Sequence, residues 1–330
     1  MSEKRYVLET GDFDGEATVG LADRAAGLTA VIVPGVGSNL ISFRDTAGGV
    51  EYLHKPRALA ELISAPVGYG NPVLLPPNRI RHGRFTYAGA AYDLPINSPP
   101  HHIHGLVHSL PWRVGGRGAS EAEGAWVRTI MAGREHPGFS RVFPHDFSLA
   151  LTFRLRGGTL SILAEAENGG PGPFPFGLGY HTYFRLPISD GAVKEDYRLS
   201  LPAAARWELE ERFPTGRLLP LSGTDRLEAS PVADLGLDDI YTDLAPGAAE
   251  IAARLWHGKS GRGVEFASDR SFMHWVVWSG PGPGAPYICL EPYTCLTDAP
   301  NLPLPRERTG LLDLAPGGTW RGWIEFRPLR

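Results

Sequence analysis

Apolar positions along this chain recur in short runs with a period of two, and the runs are cut by glycine, proline and aspartate. In the clearest run, Phe147, Leu149, Leu151, Phe153 and Leu155 alternate with small or polar residues, and Gly157-Gly158 then turns the chain into Leu160, Ile162, Ala164 and Ala166. Successive side chains of a strand point to opposite faces, so this pattern predicts a hairpin with one buried face. Further strands are predicted over 28–33, 35–43, 51–54, 251–256, 263–267, 272–278 and 320–326, with a second hairpin in FTYAGAAYDL at 85–94. Only 57–64 reads as a helix, one or two turns long. No long 3.6-residue period and no repeated motif appears. Many strands at regular spacing predict an all-β fold, a large antiparallel β-sandwich.

Composition narrows this picture without changing it. A 330-residue chain that is 42% hydrophobic can bury a large core, and its length allows two domains. Its 41 glycines and 30 prolines are nevertheless spread between apolar runs and not pooled into a linker, so one domain over 1–330 is expected. A formal charge of -4 gives no basic field, which argues against nucleic acid and against a polybasic membrane patch. The first residues lack an apolar signal-type core and no run is long enough to span a bilayer, so a cytoplasmic monomer or homodimer acting on a small ligand is expected. The two cysteines, Cys289 and Cys295, fall on one predicted strand roughly 20 Å apart, beyond disulfide reach, and read as reduced core residues.

Candidate chemistry centres on YICLEPYTCLTDAPN at 287–301. Alternation puts Tyr287, Cys289, Glu291, Tyr293 and Cys295 on one face and Ile288, Leu290 and Leu296 on the other. A carboxylate enclosed by such residues loses hydration, and its pKa rises toward neutrality, where it can exchange protons. Pro292 pushes Glu291 toward extended geometry, and because a central strand tolerates proline poorly, an edge, bulge or strand end is expected there.

Three other stretches carry candidates. Of the eleven histidines, His101, His102, His104 and His108 crowd one proline-rich loop. His102 and His104 on one strand face suggest metal ligands, but no downstream cluster completes a site, and His101, His102 and His108 read as surface or packing residues. His104 differs, because Gly105 after it permits close approach to a ligand. In FPFGLGYHTYFRLP, His181 lies among Tyr180, Tyr183 and Phe184, a setting that suits the apolar face and polar edges of a sugar, although a lone histidine there is more often a core residue. In NPVLLPPNRIRHGR, Asn78 and Arg79 offer donors for vicinal hydroxyls, while Arg79, Arg81 and Arg84 are equally readable as solvated charges. In GLDDIYTDL, Asp238 and Asp239 face opposite ways if extended, so at most one enters a cleft.

Taken together, PPNRIRHGRF, LPIN, HHIHG, HPGFSRVFPHDFSLALTFRL, FGLGYHTYFRL, LDDIYTDL and LEPYTCLTDAPN, in that order, resemble the aldose 1-epimerase (galactose mutarotase) family over roughly residues 35–326. The resemblance implies a galactose mutarotase-like β-sandwich with a sugar cleft, a small-molecule sugar substrate, and no metal or other cofactor. It implies Glu291 as catalytic base and His181 as catalytic acid, the histidine held protonated by nearby carboxylates. It further implies Asn78, Arg79, His104 and Asp238 as substrate-binding residues, with Asp239 the one-residue alternative to Asp238. The chain departs from the members nearest galactose mutarotase itself, which carry asparagine where Tyr180 stands and end differently after LEPYT. Those departures leave the sugar open. A hexose-phosphate epimerase using Arg79, Arg81 and Arg185, and a sugar-binding module without catalysis, are the alternatives. A matched carboxylate pair of glycosidase type is not evident.

Overall fold

The computed structural model describes residues 4–330. Among them the chain is built almost wholly of antiparallel strands, with α-helix only at Leu59–Ser64, Pro137–Val142 and Arg306–Thr309. Two large sheets form the sandwich. The first contains nine strands, among them the predicted hairpin, Phe147–Arg156 with Thr159–Asn168, followed across the sheet by the middle strand Thr319–Leu329, then Gly263–Ser268 and Ile251–His257. Gly157 and Gly158 take positive φ at its turn, as the two-residue loop requires.

The second sheet carries the candidate site, and its strands in chain order are β1 (Val73–Leu74), β2 (Gly179–Tyr180), β3 (Thr182–Arg185), β4 (Ala203–Glu210), β5 (Phe213–Pro220), β6 (Asp238–Leu244), β7 (His274–Trp278) and β8 (Tyr287–Tyr293). Across the sheet they run β5-β4-β6-β7-β8-β2-β1, with β3 also paired to β8. Its inner face contributes Phe184, Tyr241, Trp275, Val277, Ile288 and Leu290 to the main core, against Phe147, Leu151, Phe153 and Ile162 of the first sheet. Its outer face gathers a smaller cluster that includes Leu74, Trp207, Ile240, Val276 and Tyr293. A further sheet of five strands, built from residues 6–51, packs through Glu16–Asp23 against Gly124–Ala132 and Phe147–Arg156.

The differences from expectation have local causes. The strand predicted at 35–43 starts only at Asn39, because residues 35–38 form a turn with Ser38 at positive φ, and the strand predicted at 272–278 starts at His274. Tyr6–Phe13 and Arg113–Ser120 are exposed edge strands with no apolar alternation to announce them. β8 is an interior strand, not the edge that Pro292 suggested, although Pro292 does fall one residue before its end. Leu296 lies beyond that end and joins the outer cluster with Tyr293 and Cys295 instead of following Ile288 and Leu290. Both cysteines are buried free thiols.

Candidate functional site

His181 and Glu291 meet because of how β2, β3 and β8 pair. Gly179 pairs with Tyr293 and Thr182 with Leu290 in one unbroken register, which sets His181 opposite Glu291 and Tyr180 opposite Pro292. Proline has no N–H to give Tyr180, so the ladder lapses there and β2 and β3 separate around His181. The His181 N–H points the other way, to the Pro72 carbonyl at 3.0 Å, as the Tyr183 N–H points to Gly70. His181 and Glu291 are therefore a non-hydrogen-bonded cross-strand pair, the kind whose side chains lie closest. His181 Nε2 stands 3.3 Å from Glu291 Oε1, with the two side chains 5% and 2% exposed. The other carboxylate oxygen accepts a hydrogen bond from the Tyr293 hydroxyl, two residues along the same face.

Burial dominates the electrostatics of the pair. It pushes the Glu291 carboxyl up to about 8, while the Tyr293 hydrogen bond and Arg79 pull the other way and Asp238 adds to the rise. The direction expected for Glu291 is the one found. For His181 it is the reverse: burial, aided by the Arg79 charge, pushes the imidazole down to about 3, so the histidine is not held protonated by carboxylates. A carboxylate would support an imidazolium here, but burial disfavours the charged form of both groups. The raised carboxyl and lowered imidazole favour one proton shared between two groups in direct reach.

Both residues lie in a cleft of about 1180 Å³ on the outer face of the second sheet. Asn78, Arg79, His104 and Asp238 line the same cleft. Asn78 takes positive φ, and its Oδ1 accepts the Arg79 backbone N–H at 2.8 Å and its guanidinium at 3.3 Å, which fixes the fork. The His104 N–H bonds to the Asn78 carbonyl at 2.8 Å, and its ring meets that of His181 edge-on with centroids 5.0 Å apart. Gly105 serves packing, not ligand approach, since a Cβ there would stand 2.1 Å from the Leu75 carbonyl oxygen. Asp238 and Asp239 face opposite ways, as strand geometry demands. Asp238 faces the cleft, with Arg212 Nε at 3.6 Å, whereas Asp239 is bound to Arg206 at 2.8 Å.

The cleft also contains residues that the sequence did not single out. Tyr183 stacks on His181 at 4.5 Å, and Trp278 stands edge-on to both rings, giving the floor an apolar, aromatic side. Arg212, Asn97 and His108 are among the other lining residues, so His108, expected as a surface or packing residue, borders the cleft. Alternation along β7 was the available signal for Trp278, because Trp275 and Val277 are core and Val276 and Trp278 must then face out.

Other candidates stand elsewhere. His101 packs against Phe213 and His82, while His102 is buried with Nδ1 2.7 Å from the Pro95 carbonyl, so the loop histidines form no ligand set. Arg81 bonds to Asp298 and lies over the Phe213 ring; Arg185 pairs with Asp190. Neither lines the cleft, so of Arg79, Arg81 and Arg185 only Arg79 does. No helix among the described residues is long and apolar enough to cross a membrane.

Comparison with known proteins places this geometry in a lineage. The family model described as Aldose 1-epimerase matches residues 21–327. Galactose mutarotase of Rattus norvegicus is 28% identical over 204 residues, which cover 57% of this chain and 56% of that protein, so the match spans little more than half of this curated relative. An uncharacterised protein of Escherichia coli is 25% identical over 259 residues, 75% of each chain. Among solved structures, a galactose mutarotase-like protein of Clostridium acetobutylicum superposes with a TM-score of 0.91 over 99% of both chains at 24% identity. Galactose 1-epimerase of Lactobacillus acidophilus gives 0.76 at 17% identity, over 99% of this chain and 100% of its own. Structural likeness at such identities establishes the fold alone.

Proposed function

The chain belongs to the aldose 1-epimerase family, and from that premise we propose that it interconverts the α and β anomers of an aldohexose by acid/base ring opening, with Glu291 as base and His181 as acid. The supporting observation is the buried His181–Glu291 pair, 3.3 Å apart on the floor of a cleft. Anomer exchange needs the O1 proton removed and a proton delivered to the ring oxygen, after which the open aldehyde rotates and closes on its other face. One base and one acid suffice, and the pair holds the single proton required.

At rest that proton sits on Glu291. Passing it to His181 Nε2 gives a carboxylate and an imidazolium. The sugar O1–H, donating to the carboxylate, favours this arrangement by hydrogen-bonding the charged form. Glu291 then takes the O1 proton as His181 protonates the ring oxygen, and closure reverses both transfers. Asn78, Arg79, His104 and Asp238 hold hydroxyls, while Tyr183 and Trp278 meet the apolar face of the ring. No cofactor enters this scheme. An anionic sugar is less well served, since Asp234 and Asp238 offset Arg79 and Arg212 in the same cleft.

Polarimetry and anomer-resolved NMR on a panel of freshly dissolved aldoses and hexose 6-phosphates test the reading. Glu291→Gln and His181→Asn are each expected to slow anomer exchange by about 10²-fold or more. Unchanged rates in both variants would overturn the assignment. Sugar binding without any acceleration of exchange would make the chain a sugar-binding module.

A further inference from the structure

We propose that His181, Cys289 and Glu291 also form a capture site for a divalent cation of the zinc class, and that the captured ion closes the cleft to sugar. The acid/base scheme uses His181 and Glu291 but leaves Cys289 without a task. Cys289 nevertheless lies two residues before Glu291 on β8, hence on the same outer face, and pairs across with Tyr183, the neighbour of His181. The donor atoms of the three residues, one nitrogen, one sulfur and one carboxylate oxygen, all lie within 4.8 Å of one another, and all three residues are buried.

The spacing matches a chelate. Two ligands bound to one tetrahedral zinc at 2.0–2.1 Å stand about 3.3 Å apart, and His181 Nε2 and Glu291 Oε1 are separated by 3.3 Å. The sulfur needs a shift of up to about 1.2 Å to reach its longer bond of about 2.3 Å. His181 Nδ1 makes no hydrogen bond, so no partner opposes the Nδ1–H tautomer that leaves Nε2 free for the ion. On binding, the thiol and carboxyl protons leave to solvent and the ion replaces them. Three protein ligands leave the fourth position to the cleft, where water completes the tetrahedron and the hydrated ion stands where the sugar would. Magnesium and calcium are poorly matched, since they require six or more oxygen ligands. A mixed nitrogen, sulfur and oxygen set selects zinc, cobalt or copper.

Ion binding rests on this geometry alone; only its inhibitory effect rests on the mutarotase reading. The test titrates metal-free protein with Co²⁺ and Zn²⁺ in a non-chelating buffer. One Co²⁺ per chain with a thiolate-to-cobalt charge-transfer band in the near ultraviolet is expected, lost in Cys289→Ser and kept in Cys295→Ser. Zn²⁺ is expected to inhibit anomer exchange in competition with sugar. Cys289→Ser should keep its metal-free rate yet need about tenfold or more Zn²⁺ for the same inhibition, and Cys289→Ala repeats the comparison if the serine variant folds poorly. Cobalt bound without the thiolate band, or equal zinc sensitivity in wild type and the Cys289 variants, would overturn the proposal. Absence of anomer exchange with every sugar overturns the function proposed above and leaves the cobalt spectrum to decide the site.

Discussion

Tyr293 hydroxyl, Glu291 carboxyl and His181 imidazole form a line of three buried groups in which each one sets the proton affinity of the next. The tyrosine donates to the carboxylate, so it favours the charged form and restrains the rise caused by burial. Replacing Tyr293 by phenylalanine removes that restraint without changing the packing of the ring. Glu291 then holds its proton more tightly, and the carboxylate–imidazolium form becomes rarer. The expected outcome is a kcat lowered by about tenfold, the worth of one such hydrogen bond. In wild type, activity should fall as pH rises through about 8, where the pair loses its one proton; in Tyr293→Phe that limb should move to higher pH. A basic limb that stays in place would show that the hydrogen bond does not tune the carboxyl. Part of this line was legible in the sequence, since alternation alone put Cys289, Glu291 and Tyr293 on one face. The protonation of His181 was not. It depends on whether the neighbouring carboxyl is charged, and that depends on a burial that only the folded sheet creates.

The loop that carries Asn78 and Arg79 is held from the far end of the chain. Asp298, 2% exposed, accepts the Arg81 N–H at 2.9 Å and the Asn301 amide at 2.7 Å, and its own N–H reaches the Arg79 carbonyl at 2.9 Å. Asp298→Ala strands the Arg81 N–H and the Asn301 amide and places alanine at a φ of 60°, so about 1–3 kcal/mol of stability should be lost. The guanidinium fork loosens with the loop, and KM should rise more than kcat falls. Asp298→Asn, which keeps an acceptor and tolerates positive φ, should recover most of both, as urea unfolding and steady-state kinetics would measure. Equal stability in the alanine variant would refute the bracing role. Sequence motifs named Asn78 and Arg79, which line the cleft, but gave no sign that Asp298 supports them, because contact across 217 positions leaves no local pattern. The same limit hid the position of β8. Pro292 was legible as a residue that a sheet tolerates poorly, yet its place inside the sheet follows from strands more than a hundred residues earlier. The missing N–H is accommodated by the gap at His181, where the second catalytic candidate emerges.

Across the whole molecule, the way the site is built sets how stability depends on pH. His104, His108, His181 and His274 are all pushed down by burial, His181 to about 3 and His108 and His274 to about 4, so the native protein keeps them neutral where the unfolded chain protonates them. A group with a depressed native pKa contributes stability above its unfolded value, near 6.5 for histidine, and that contribution is lost as pH falls toward the native value. Glu291 acts in the opposite sense. Its raised carboxyl holds a proton in the native state between about 4.5 and 8, which favours folding at the lower end of that range, and Glu51, raised by its own burial, acts with it. Asp239 and Asp298 are raised by burial too, but His54, His101, His102 and His145 are lowered with the four histidines above, so below pH 6.5 the unfolded state is expected to bind more protons on balance and stability to decline. Each unopposed histidine costs about 1.4 kcal/mol per pH unit, which makes the loss between pH 6.5 and 5 several kcal/mol in all, on the order of a large share of the stability of a typical domain. Urea unfolding at pH 7, 6 and 5 is expected to show the midpoint falling steadily, with His274→Gln flattening the slope because His274 is buried beside Trp207, outside the cleft. A midpoint constant from pH 7 to 5 would mean that these imidazoles gain protons inside the fold. In that case the His181–Glu291 pair would not rest in its singly protonated form.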